Sequence, residues 1–178
     1  MARYVALLRG VNLGARNRVP MAELRALLEE LGHEDVATLL QSGNAAVTTT
    51  QKPAAVAEQL QAAIADRFGV DTVVVLRTAT QLQDVLERDP LGDVADDPKR
   101  YQVHFLAGKP RAAAVRALEA ADVAPERLAV SGNEIYVWHA GGIQRSPASK
   151  AIEKADLGVA ATARNWSTVE KLLELARG

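Results

Sequence analysis

Cysteine is absent from the 178 residues, which excludes disulfides, thiolate nucleophiles and cysteine-ligated metals. Histidine occurs three times, as His33, His104 and His139, in neither H-x-x-x-H nor H-E-x-x-H spacing, so no metal site is expected. Aromatic residues make up only 4% of the chain. No apolar run approaches the roughly 18 residues that a membrane helix needs, so no membrane partner is expected. The N-terminus enters a strand-like stretch with no signal-peptide core before it, and the cytoplasm is the expected location. Neither sign of charge is in excess: the net charge of −1 gives no general attraction to nucleic acid or acidic lipid. An anion site, if the chain has one, is a local patch.

What the chain does contain is the same pattern twice. Arg3-Tyr4-Val5-Ala6-Leu7-Leu8 answers to Arg100-Tyr101-Gln102-Val103-His104-Phe105, and Leu40-Gln41-Ser42-Gly43-Asn44 to Ala129-Val130-Ser131-Gly132-Asn133. Leu76-Arg77 before one helix answers to Ala163-Arg164 before another. A repeat of this kind governs the fold assignment. In the first half, residues 3–9 read as a buried strand. Pro20 opens a helix with Met21, Leu24, Leu27, Leu28 and Leu31 at helical spacing, closed at Gly32. Residues 36–41 and 45–49 read as strands joined at Ser42-Gly43-Asn44 by a two-residue hairpin. A helix from Pro53 to Gly69, a strand over 70–76 and a helix capped by Thr78 follow. The second half runs through strand 101–106, helix 111–121, strands 127–131 and 134–139, helix 147–157, strand 159–163 and helix 166–176.

The segment 89–100, with Pro90, Gly92, Pro98 and Asp89, Asp93, Asp96 and Asp97, reads as a solvated acidic linker. It separates an N-terminal half, 1–88, from a C-terminal half, 101–178. The fold class is therefore α+β: two tandem ferredoxin-like β-α-β-β-α-β units with extra helices, related by internal duplication. In that topology the end of the first strand lies beside the turn between the second and third. The halves differ most at that end, where Gly10 to Pro20 spans eight residues more than Gly108 to Pro110.

The longer loop carries Arg9, Arg16 and Arg18 with no acid among them, and Gly10 and Gly14 let backbone amides turn toward a ligand. Guanidinium forks, exposed amides and the start of a helix at Pro20-Met21 suit phosphate or carboxylate. Neither a Walker loop nor the dinucleotide G-x-G-x-x-G is present. The expected pocket comprises Arg9, Asn12, Arg16, Asn17, Arg18, Ser42 and Asn44, with Arg164 as a contributor from the other half. The bland alternatives are a solvated arginine loop and a triplet at 42–44 that merely forms a turn, with Arg164, like Arg77, a structural arginine bonding carbonyls. Asn165 or Ser167 is read as a helix N-cap. Ser146-Pro147-Ala148-Ser149-Lys150 reads as a cap followed by a first-turn proline. No catalytic residue and no cofactor emerge from the sequence.

Arg3-Tyr4-Val5-Ala6-Leu7-Leu8-Arg9-Gly10-Val11-Asn12-Leu13-Gly14, then Val19-Pro20-Met21 and Gln41-Ser42-Gly43-Asn44, resembles the opening signature of a bacterial family named domain of unknown function 1697. The stretch from Thr162 to Leu172, which includes Ala163-Arg164-Asn165-Trp166-Ser167-Thr168, resembles the closing motif of the same family. The resemblance implies paired ferredoxin-like α+β units and lends no activity. Ala45-Ala46 departs from the bulkier strand residues usual at that point.

Three functions follow for testing. The first is a cytosolic protein binding a small anionic or phosphate-bearing ligand at the Arg9–Arg18 loop. The second is an enzyme on a phosphorylated or carboxylated metabolite, with arginines stabilising developing charge. The third is a non-catalytic assembly module pairing through sheet edges. A nucleic-acid partner is disfavoured, because Val5-Ala6-Leu7-Leu8 and Ala45-Ala46-Val47 offer no stacking aromatics. The sequence is silent on oligomeric state.

Overall fold

The computed structural model describes all 178 residues. Eight strands and six helices alternate in an order that repeats: β1 (Ala2–Leu8), α1 (Met21–Glu30), β2 (Glu34–Leu39), β3 (Asn44–Thr49), α2 (Pro53–Phe68), β4 (Val74–Arg77) and α3 (Ala79–Arg88). The second round is β5 (Tyr101–Leu106), α4 (Ala112–Glu119), β6 (Arg127–Ser131), β7 (Glu134–Trp138), α5 (Pro147–Lys154), β8 (Ala161–Asn165) and α6 (Trp166–Arg177). The strands form two four-stranded sheets of matching order, β2-β3-β1-β4 and β6-β7-β5-β8. Every pairing is antiparallel.

Tertiary contacts divide the chain into two compact units, Met1–Asp84 with Lys171–Gly178, and Val85–Glu170. The boundaries thus fall inside α3 and α6, whereas the sequence suggests a break over 89–100. Local bonds show why. Arg3 donates from Nε to the Leu175 carbonyl at 3.2 Å, holding the end of α6 in the first unit. Arg88, at the end of α3, pairs with Glu134 at 2.8 Å and donates to the Ser131 carbonyl, both in the second unit.

Within the first unit, strand alternation sends Tyr4, Ala6 and Leu8 to the face that packs with Leu24 and Leu28 of α1 and Leu60 and Ile64 of α2. The second unit repeats this with Leu106, Ile135 and Val137 against Ala114 and Leu118 of α4 and Ile152 of α5. Each fully buried leucine or isoleucine contributes about 1.5–3 kcal/mol. The other face of each sheet is also closed to water: Val5, Leu7 and Val75 in the first unit, and Val103, Phe105 and Tyr136 in the second, are buried. The alanines at 45 and 46 are wholly buried, so small residues stand where β3 is covered on both faces.

Several local expectations change. The β2–β3 connection is not a two-residue hairpin: Leu39 pairs with Asn44, and Leu40-Gln41-Ser42-Gly43 forms the turn, with Leu40 and Gly43 at φ of 58° and 79°. The equivalent turn in the second half is two residues, because Ser131 pairs with Glu134. Strand β4 starts at Val74 rather than 70, and just before it Thr72 bonds through its side chain, Oγ1 donating to the Arg9 carbonyl at 2.8 Å. Strand β8 runs to Asn165, paired to Gln102, so Asn165 ends a strand and α6 follows directly. Helix α5 stops at Lys154, short of 157.

The segment 89–100 is an ordered connection. Leu91 is buried, and Asp89 Oδ1 accepts from the Tyr101 hydroxyl at 2.9 Å. Asp93 and Asp96 are exposed, and Asp97 pairs with Arg100 at 3.1 Å and accepts from the Lys99 N–H at 2.9 Å.

Candidate functional site

Antiparallel pairing places the end of β1 beside the β2–β3 turn: Leu7 pairs with Asn44, and Leu8 donates to the Gly43 carbonyl at 2.9 Å. The long loop leaves from that end. Its backbone closes on itself where Asn12 N–H donates to the Asn17 carbonyl at 2.9 Å and Arg16 N–H reaches Leu13 at 3.4 Å. Asn12 and Asn17 sit at φ of 55° and 51°, a conformation that asparagine tolerates better than most residues. Asn12 is the latch. Its Nδ2 donates to the carbonyls of Val19 at 2.9 Å and Gln41 at 2.7 Å, and its Oδ1 accepts from Val19 N–H at 2.8 Å. Asn17 Nδ2 donates to the Gly10 carbonyl at 3.2 Å. One side chain therefore ties the loop both to the start of α1 and to the turn.

The latch leaves a cleft of about 360 Å³ lined by Asn12, Gly14, Arg18, Pro20 and Gln41. The first turn of α1 opens on its wall without a side-chain cap on Pro20, so backbone N–H groups there lack intrahelical partners. Of the residues singled out from the sequence, Asn12 and Arg18 line this cleft. Arg9 and Arg16 are exposed on the same loop, and Ser42 is exposed on the adjoining turn. Arg9, Arg16 and Arg18 form no ion pair, the pairs in this unit being made by other arginines, such as Arg25 with Glu29. Gln41 was not assigned from the sequence. Its signal was position alone, one residue before Ser42 in the turn.

Two residues expected to face a ligand instead hold the scaffold. Asn44 is fully buried, and its Nδ2 donates to the Leu39 carbonyl and to Ser42 Oγ, both at 2.9 Å. It closes its own turn. Arg164 belongs to the second unit, is 6% exposed, and donates to Thr162 Oγ1 at 2.8 Å and to the Ala163 carbonyl at 2.9 Å. Burial pulls its guanidinium down to about 10. Arg77 makes the corresponding bond to the Leu76 carbonyl at 2.9 Å, which supports the carbonyl-bonding role for both arginines.

A second polar cluster lies in the other unit. Glu126, His139 and Ser146 are all buried. Ser146 Oγ donates to Glu126 Oε2 at 2.7 Å and accepts from Ser149 N–H at 3.0 Å, capping α5 as the sequence suggests. Ala148 N–H adds a bond to the same carboxylate at 2.9 Å. His139 Nδ1 lies 3.0 Å from Ser146 Oγ, and Nε2 lies 3.0 Å from Gln102 Oε1. Burial lowers the imidazole's pKa against the opposing pull of Glu126. Serine, histidine and an acid together have the composition of a hydrolase triad. Here the hydroxyl is committed to the carboxylate and to the helix end, and it is 2% exposed, so no substrate carbonyl reaches it. The cluster is a cap and a core network. The cap is legible in the sequence and its partners are not, because Glu126 and His139 come together only when β6 pairs with β7. No group of histidine, aspartate and glutamate suited to a metal ion occurs, and no helix is long and apolar enough to cross a membrane.

The conserved bacterial protein SP0830 from Streptococcus pneumoniae has a similar solved structure, with a TM-score of 0.80, 26% identity and 98% of each chain covered. None of the curated proteins matches the chain. The closing motif from Thr162 lies beyond the part of the chain that a family model matches, whereas the loop, the latch and the turn lie inside it. That model, of proteins of unknown function named DUF1697, matches residues 1–136, and the chain belongs to this family.

Proposed function

We propose that the protein binds a small anion, a phosphate or carboxylate group of a metabolite, at the cleft beneath the Arg9–Arg18 loop. The observation that carries this reading is the contrast within the loop. Asn12 and Asn17 spend their polar atoms holding the backbone, while Arg9, Arg16 and Arg18 stay exposed without an acid partner. A loop already ordered loses little entropy on binding, which favours affinity. Arg18 and the uncapped start of α1 supply positive potential at the cleft, and Gln41 supplies a neutral donor and acceptor. Binding is preferred to catalysis because no residue lining the cleft has a side chain fitted to act as a general base. Arg164 and Asn44 are left out of the site, since both spend their donors inside the fold.

We also read the two halves as copies of one ferredoxin-like unit. The repeated element order and the matching strand order support that reading. On it, the latch loop is an addition to one copy only.

The test titrates phosphate, sulfate and a nucleoside monophosphate against the wild type and an Arg16→Ala/Arg18→Ala variant, at low and high salt. At least one anion should raise the wild-type melting temperature, less so at high salt. Each lost charge-assisted bond should cost about 1.5–3 kcal/mol of affinity, roughly 10- to 150-fold. Identical responses from the two proteins would return the loop to a solvated surface feature.

A further inference from the structure

The position occupied by the latched loop in the first half is open in the second. The segment 107–111 is short and has no counterpart of Asn12. Where α4 begins beside the β6–β7 turn, a cavity of about 470 Å³ remains, within the 300–1,000 Å³ range of small-molecule sites. Its floor is apolar, made by Pro110 and by the half-buried Val115 and Val130. Its rim holds two cations, Lys109 and Arg116, both exposed and neither in an ion pair. Gly132 and Asn133 complete the wall from the turn. An apolar floor beneath two unpaired cations is selective in a definite way: a neutral apolar molecule leaves the cations unused, and a bare inorganic anion leaves the floor wet.

We infer that the cavity between the start of α4 and the β6–β7 turn binds a small amphipathic carboxylate, its chain on Val115 and Val130 and its head between Lys109 and Arg116. Each buried methylene adds favourable burial, and the charged head gains charge-assisted bonds at the rim. The inference is independent of the first-half cleft, which is polar and lies on other residues.

The experiment follows the methyl resonances of Val115 and Val130 in the full chain during titration with octanoate, and separately with octanamide. Octanoate should give saturable shifts at both valines and bind at least tenfold more tightly than the neutral amide. In Lys109→Gln/Arg116→Gln, both substitutions being at exposed positions, octanoate should fall to the affinity of octanamide. The Arg16→Ala/Arg18→Ala variant should bind octanoate as the wild type does, which separates this site from the other. Absence of saturable shifts at either valine, equal binding of acid and amide by the wild type, or an undiminished preference in the glutamine variant would each overturn the assignment.

Discussion

Gly43 ends the β2–β3 turn and Asn44 opens β3, and the two support the turn for different reasons. Gly43 adopts φ of 79°, and a Cβ there would lie 2.5 Å from Val11 Cγ2 and 2.8 Å from Leu8 Cβ. Backbone strain and overpacking therefore act together, and Gly43→Ala should cost about 2–4 kcal/mol. Asn44 is sealed from water with its amide on Leu39 and Ser42. Asn44→Ala should remove about 1–3 kcal/mol. Urea unfolding of the two variants checks both values, and a stable Asn44→Ala would reopen its assignment to the cleft. Asn12 differs from both because its bonds span two elements. Asn12→Ala should destabilise by about 1–3 kcal/mol and, by freeing the loop from Gln41, should also abolish any thermal response to anions. Retention of that response would mean that the arginines act without the latch.

At the scale of elements, the two halves use one plan with different connections. The first half joins β2 to β3 through four residues and β1 to α1 through the latched loop, and the second half makes both joins short. The four-residue turn brings the Gln41 carbonyl to Asn12, whereas the segment 107–111 of the second half holds no asparagine to reach its turn. Loop and turn thus form one device, and the second half lacks both parts. The connection over 89–100 behaves differently from either. Replacing Asp93, Asp96 and Asp97 together with asparagine should leave the melting temperature nearly unchanged, since none is in a buried pair. Asp89→Ala should lower it distinctly, because Asp89 accepts from the buried Tyr101, which also stacks on Trp166 at 4.5 Å. Calorimetry on the two variants separates solvated acids from the anchoring one. Equal losses would show that the acidic run acts as a unit.

For the whole molecule, the three histidines act in the same direction. Burial lowers the pKa of His33 and of His139, and His104 is pushed down to about 4, its Nε2 out of water with no hydrogen-bond partner. A base with a depressed folded pKa is protonated first in the unfolded chain. The stability held by these neutral imidazoles is therefore complete above the ordinary value of 6.5 and falls as pH drops from there toward 4. Thermal unfolding between pH 7.5 and 5, above the range where most carboxylates titrate, should show a declining melting temperature and a shallower decline in His104→Leu. A flat profile would mean that the imidazoles are no less solvated folded than unfolded. The sequence by itself determined the repeat, the order of elements and the loop at which the halves differ, because periodicity, glycine, proline and charge are written locally. It also located the arginines, since a cluster without acids is visible as a string. Only the tertiary structure decided which polar residues face outward. Asn12, Asn44 and Arg164 look like ligand groups in the chain, yet each has backbone carbonyls within reach once strands pair and turns close. A buried polar atom left unpaired is costly, so these side chains bond to the fold, while Arg9, Arg16 and Arg18 stay exposed to solvent.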